Sequence, residues 1–202
     1  MTIDEIMRAA PVIPVLVLEG DADWAKLAET FVAAGLPVLE VTLRTPAACE
    51  AIRQMRRVAG AIVGAGTVLN QRQLDDAAEA GSQFIVSPGL TETLAKATTR
   101  SGIPYLPGIA TAGDIMKGLD LGLDRFKFFP AEAAGGMAAL KALSAPFADV
   151  RFCPTGGIRP ETAADWLAVP SVLCVGGTWL TKPGDNLATI GRRACAAATL
   201  PR

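Results

Sequence analysis

One rhythm limits what this chain can fold into. Eight short apolar runs alternate with longer, alanine-rich amphipathic runs, and the apolar runs start roughly 19 to 26 residues apart. They are "VIPVLVL" (12–18), "PVLEVTL" (37–43), "AIVGAGTV" (61–68), "FIVSPG" (84–89), "IPYLPGI" (103–109), "RFKFFPA" (125–131), "RFCPTGGI" (151–158) and "VLCVGGTWL" (172–180). Between them lie helical patterns such as "ADWAKLAETFVAAG", "QRQLDDAAEAG" and "TETLAKATTRSG", several ending at a glycine, Gly35, Gly81 or Gly102, as helices often stop. A strand that returns parallel to its predecessor needs a crossover, and a helix supplies it. Eight such units predict an α/β chain closed into a (β/α)8 TIM barrel. The expectation is a single domain over 1–202, with an extra helix over 1–10 at the barrel bottom and the barrel over 12–198. A doubly wound open sheet is the structural alternative. In a barrel of this kind chemistry sits at the C-terminal ends of the strands, so every polar residue there is a candidate.

The chain contains no histidine, which removes the commonest general base and the commonest metal ligand. Acid–base chemistry falls to carboxylates, lysine, tyrosine or water. A formal charge of −1 gives no electrostatic case for nucleic acid or anionic lipid. No apolar run reaches the roughly 18 residues of a membrane span. "MTIDEIMRAAPVIP" is acidic and amphipathic, unlike a signal peptide, so a cytoplasmic location is expected. Cys49, Cys153, Cys174 and Cys195 are widely spaced and read as reduced thiols, mostly small core residues.

Lys127 lies inside the sixth apolar run, whereas Lys26, Lys96, Lys117, Lys141 and Lys182 fall in helical patterns or a loop. Alternation puts Arg125, Lys127 and Phe129 on one side of the strand and Phe126 and Phe128 on the other. Burial disfavours a charged amine and leaves more of the neutral nucleophile that Schiff-base chemistry needs. The same lysine serves equally as a structural ion-pair partner or reaches to the barrel mouth. In the second run Glu40, Thr42 and Arg44 share a face. Charges inside a strand are costly unless paired or used. Glu40 suits general acid–base work and Arg44 suits a substrate carboxylate, and a structural pair of Glu40 with Lys127 or Arg44 is compatible with both.

The third run ends in "GAGTV", with the Thr67 hydroxyl toward the mouth, and "SPG" sets Pro88 at the rim. The last two runs end in "PTGGI" (154–158) and "VGGTW" (175–179). Glycine pairs let backbone N–H groups converge on an anion, and a helix N-terminus following each adds positive charge. Thr155 and Thr178 offer hydroxyls to such a cradle. Two tight turns without ligand are the plainer alternative. Together these residues imply a phosphorylated substrate that also carries a carboxylate and a carbonyl open to an amine.

"EVTLRTPAA", "GAGTVL", "SPG", "LPGIAT", "KFFPAE", "CPTGGI" and "CVGGTWL" together resemble the 2-keto-3-deoxy-6-phosphogluconate aldolase family, in order and over nearly the whole chain. The resemblance implies a class I aldolase of the Entner–Doudoroff pathway, usually a homotrimer, with no metal and no organic cofactor. It implies Lys127 as the Schiff-base lysine and Glu40 as the general acid–base. Arg44 and Thr67 become the carboxylate site, and Pro88 and Phe129 the packing around the substrate. The phosphate end falls to Thr155, Gly156, Gly157 and Thr178, with the glycine pair Gly176 and Gly177 beside it. Thr178 replaces a frequent serine and Ala134 a frequent polar residue. Related substrates are the galactonate epimer and 4-hydroxy-2-oxoglutarate. The remoter alternatives are a phosphosugar isomerase or epimerase and a non-catalytic barrel that binds a phosphorylated metabolite.

Overall fold

The structure, a computed structural model, describes residues 1–201. Its strands are β1 (Val12–Leu16), β2 (Val38–Thr42), β3 (Ile62–Gly66), β4 (Ile85–Val86), β5 (Tyr105–Leu106), β6 (Gly108–Ile109), β7 (Arg125–Phe128), β8 (Arg151–Pro154) and β9 (Val175–Gly177). The helices are α1 (Ile3–Arg8), α2 (Trp24–Ala33), α3 (Ala48–Met55), α4 (Gln71–Glu79), α5 (Glu92–Ser101), α6 (Ala112–Asp120), α7 (Gly136–Ser144), α8 (Pro160–Leu167) and α9 (Leu187–Ala198). Every strand pairing is parallel, so the chain is an α/β protein built on a curled parallel sheet.

All eight apolar runs contain strand, and the fifth contains two pieces. Proline has no N–H to give a ladder, and Pro107 divides that run into β5 and β6. β5 pairs with β4 through Ile85–Tyr105 and Val86–Leu106, while β6 pairs with β7 through Gly108–Lys127 and Ile109–Phe128. The hydrogen-bonded orders are therefore β5-β4-β3-β2-β1-β9 and β6-β7-β8. Isolated parallel bridges, Phe152–Val172 and Thr155–Gly176, run from β8 and its end to β9 and the residues before it. The observed strands are shorter than the apolar runs because the runs continue into rim turns such as Ser87–Gly89.

Sequence chemistry sets the helix ends. Thr2 caps α1 in a reciprocal box with Glu5, Thr111 does so for α6 with Asp114, and Asn70, Thr91 and Asn186 cap α4, α5 and α9. The stops expected at Gly35, Gly81 and Gly102 are left-handed, with φ of 89°, 87° and 70°.

Strand alternation divides the core. Leu39, Val41, Ile85, Tyr105, Phe126, Phe128 and Phe152 join the cluster shared with the helices. Ile13, Val38, Val86, Leu106 and Cys153 face a second, smaller cluster, which Ile6 and Met7 of α1 enter. The extra helix expected over 1–10 is thus present as the shorter α1, tied to β7 by Arg125 Nε on Asp4 Oδ1 at 2.6 Å. Cys153 and Cys174 are buried as expected; Cys195 is exposed, because its position on α9 faces away from the sheet.

Candidate active site

Lys127 is 5% exposed, whereas the other five lysines are all exposed. Its neighbours Phe126 and Phe128 point outward into the helical layer, which leaves Lys127 on the inner face. Glu40, 3% exposed, occupies the same inner face on β2. Lys127 Nζ donates to Glu40 Oε1 at 2.9 Å and to Oε2 at 3.3 Å. The ammonium also stands 5.4 Å from the centre of the Phe129 ring.

Magnitudes separate a structural from a functional reading of this pair. At 2.9 Å and an effective dielectric near 20, the attraction is about 6 kcal/mol. Desolvation takes back several kcal/mol for each of the two ions. The pair comes out near neutral, and apolar residues of the same volume would hold the fold as well. A feature that adds little stability yet keeps an amine and a carboxylate in contact inside the wall is better explained by chemistry.

β3 shapes the space beside the pair. A Cβ placed on Gly66 would stand 2.2 Å from Glu40 Oε1 and 2.7 Å from its Cγ. The bare backbone of β3 therefore gives the carboxylate its seat. Immediately afterwards Thr67 adopts φ 58°, rare for a β-branched residue and costing on the order of 1–3 kcal/mol. Bonds on both sides sustain it: Leu43 N–H donates to Gly66 O at 2.8 Å and Val68 N–H to Val86 O at 3.1 Å. The result brings Thr67 Oγ1 to Arg44 Nε, 3.2 Å away. Arg44 itself is exposed in the turn after β2 and lines a cavity of about 660 Å³ with Glu19, Gly20 and Thr45.

The neighbouring rim is equally defined. Pro88 follows β4, and its carbonyl packs so closely on Gly108 that a Cβ there would stand 2.1 Å from it. Gly108 is the register partner of Lys127. Behind this rim Ser87 Oγ donates to Gly89 O at 2.7 Å and contacts Tyr105 OH at 2.6 Å. Serine has one hydroxyl hydrogen, so Tyr105 is the donor in the second contact. Burial pushes the Tyr105 phenol up to about 12, and the Ser87 contact offsets only part of this. The sequence reading passed over Tyr105 and Ser87; the signal available was the chain's only tyrosine beside "SPG".

The two glycine pairs differ. Gly156 and Gly157 have φ of 101° and 82°, a consecutive left-handed turn at the end of β8, with α8 following from its N-cap Arg159. Both positions need glycine for this backbone, as a tight turn at the strand end requires. Gly176 and Gly177 are strand residues, paired with Ile13 and Pro14. Sterics explain them: a Cβ on Gly176 would meet Thr155 Oγ1 at 2.2 Å, and one on Gly177 would meet Trp179 at 2.8 Å. The helix N-terminus expected after this second pair is not adjacent, since turns occupy the chain until α9 begins at Leu187. The threonines also separate. Thr155 is 3% exposed, with Oγ1 3.8 Å from Cys153 Sγ, while Thr178 is exposed and lines a cavity of about 440 Å³ with Trp24 and Lys182.

The structure thus joins Glu40 with Lys127, Lys127 with Phe129, Arg44 with Thr67, and Thr155 with Gly176. Fold and site define a parallel α/β protein that holds a buried amine in contact with a buried carboxylate. The chain belongs to the KDPG and KHG aldolase family, whose model matches residues 3–192. A 2-dehydro-3-deoxy-phosphogluconate aldolase of Zymomonas mobilis subsp. mobilis is 60% identical over 201 residues, covering 99% of this chain and 97% of its own. The crystal structure of the 2-keto-3-deoxy-6-phosphogluconate aldolase of Zymomonas mobilis ZM4 with 3-phosphoglycerate superposes with a TM-score of 0.97, at 57% identity, over 99% of this chain and 96% of that one. The KDPG aldolase of Legionella pneumophila, crystallised with pyruvate captured at low pH as a covalent carbinolamine, gives 0.94 at 41% identity, over 98% and 99% of the two chains.

Proposed function

We propose that this chain cleaves 2-keto-3-deoxy-6-phosphogluconate to pyruvate and D-glyceraldehyde 3-phosphate through an imine on Lys127. The observation that carries the proposal is the 2.9 Å contact of Lys127 Nζ with Glu40 on the buried inner face. Family membership and the Zymomonas relative support the substrate, and the Legionella carbinolamine supports an amine that adds to pyruvate.

Lys127, having passed a proton to Glu40 or to water, adds to the C2 ketone. Loss of water leaves a protonated imine. Glu40 takes the proton of the C4 hydroxyl, the C3–C4 bond breaks, and its electrons flow into the imine as an enamine. The aldehyde half departs as D-glyceraldehyde 3-phosphate. Protonation at C3 and hydrolysis then free pyruvate and return the amine. The imine is the electron sink, so no metal or organic cofactor enters a step. Arg44 and Thr67 hold the carboxylate, with Pro88 and Phe129 packed on the pyruvyl half. The Gly156–Gly157 turn, with Thr178 at the surface and Gly176 and Gly177 behind, receives the phosphate. Thr155 lines the inner wall between the two ends. Fixing both ends of the substrate aligns the scissile bond, which supplies much of the rate.

We infer further that the two hydrogen-bonded sheets are one wall. Residues 105–109 pass from β4 to β7 across Pro107, and the bridges from β8 to the β9 region continue the circuit. On this reading residues 12–198 form a single (β/α)8 barrel whose bottom α1 closes. The resemblance to the family supports a homotrimer and a cytoplasmic location; among the described residues no helix is long and apolar enough to cross a membrane.

Reductive trapping tests the proposal. Borohydride with pyruvate should leave a covalent adduct on Lys127, located by peptide mass spectrometry. An adduct on another lysine, or none with active enzyme, rejects it. The ratio of kcat/KM on the phosphorylated gluconate, its galactonate epimer and 4-hydroxy-2-oxoglutarate fixes the preferred substrate.

A further inference from the structure

Glu132 closes the "KFFPAE" stretch and has no part in the mechanism above. Its side chain is exposed, yet both its backbone and one carboxylate oxygen are held. After β7 the chain keeps pairing with the end of β8: Ala131 N–H donates to Thr155 O at 2.8 Å, and Glu132 N–H to Gly156 O at 3.1 Å. The Glu132 side chain folds over the glycine turn. A Cβ on Gly157 would stand 2.6 Å from Glu132 Cγ and 2.7 Å from its Cβ. Trp166 of α8, fully buried, donates from Nε1 to Glu132 Oε1 at 3.2 Å. The Trp166 ring also packs on Phe128 of the lysine strand, 6.4 Å between centres.

A carboxylate beside a turn meant for an anion is electrostatically adverse, so its retention calls for another cause. We propose that Glu132 is a positioning residue: held by Trp166, it braces the Gly156–Gly157 turn in the shape that receives the substrate's phosphate. This rests on the tail site proposed above. Glycines at φ of 101° and 82° have several backbone conformations open to them. The backbone bond from Glu132 fixes Gly156 O, and the side-chain stem closes the space over Gly157.

The test compares Glu132→Ala, Glu132→Gln and Gly157→Ala with the unaltered protein. Three quantities are read: KM and kcat for the phosphorylated substrate, competitive inhibition by inorganic phosphate, and the rate of borohydride trapping with pyruvate, which lacks a phosphate. Glu132→Ala should raise KM about tenfold, a factor equal to about 1.4 kcal/mol, and weaken phosphate inhibition in parallel. Pyruvate trapping should stay at its original rate. Glu132→Gln keeps the acceptor for Trp166 and should restore KM. The proposal is overturned by an unchanged KM in Glu132→Ala, by trapping that falls with it, or by a Gln variant as impaired as Ala. Gly157→Ala separates the two readings. If its KM is unchanged, the tail site itself is misplaced; if its KM rises while Glu132→Ala is normal, only the brace fails.

Discussion

Lys127 and Glu40 touch although their strands are not paired. β7 belongs to the three-stranded sheet and β2 to the six-stranded one, yet Nζ and Oε1 are 2.9 Å apart. The contact joins the inner faces of the two sheets. Glu40→Gln keeps the shape and removes the base. Its kcat should fall about 10²–10⁴-fold, measured as steady-state release of pyruvate; a loss under tenfold would remove Glu40 from the acid–base role.

Gly66 gives a test of position rather than identity. Gly66→Ala replaces no proposed catalytic side chain but puts a methyl 2.2 Å from Glu40 Oε1. The carboxylate must move by about an ångström, and kcat should drop roughly 10²-fold. Circular dichroism should be unchanged. Full activity would mean that the Glu40 position is not critical.

The single tyrosine allows a direct optical titration. Tyr105 is pushed up to about 12 by burial, so its phenolate absorbance should appear near pH 12 and not near 10. The folded state binds this proton more tightly than the unfolded state does. Its stabilisation is complete below the unfolded value, about 10, and declines as pH rises from there through 12. Tyr105→Phe should abolish the absorbance step. A step near 10 in the folded protein would contradict the burial and the Ser87 contact.

Asp4 is one of the carboxyls that act on the acid side. Burial acts to raise its carboxyl, but hydrogen bonds from Arg8 and Arg125 outweigh it and hold the group below the ordinary aspartate range. The unfolded chain therefore binds this proton more tightly. The contribution is present above the ordinary value, about 3.9, and is lost as pH falls through the folded value. Asp4→Asn should lower stability at pH 7 by about 1 kcal/mol or less, and the gap to the unaltered protein should close in strong acid. A constant gap in urea unfolding at both pH values would contradict the Arg125 pairing.

Much of this was legible in the residues. Alternation alone separates Phe126 and Phe128 from Lys127, because a half-buried strand has only two faces. Glu40 was legible because a carboxylate among Val38, Leu39 and Val41 has no inexpensive reason to be there. The split at Pro107 was readable in principle, since proline breaks a ladder, but its consequence depends on which neighbour each half meets. The steric surroundings of Gly176 and Gly177 were not legible. Glycine in sequence does not reveal whether it serves a left-handed turn or relieves a collision, and these two meet Thr155 and Trp179. The Trp166–Glu132 bond joins residues 34 positions apart and has no local signature.

The missing side chains of the inner wall have an evolutionary corollary. Phe84 rests where Gly64 lacks a Cβ, Glu40 where Gly66 lacks one, and Thr155 where Gly176 lacks one. Each glycine and its guest form a matched set, so drift at one site is conditional on the other. Enlarging the glycine alone forces a collision and shrinking the guest alone empties packed space or, at Glu40, removes a proposed catalytic group. Each pair should therefore drift only together, with the double change less harmful than the two single changes added.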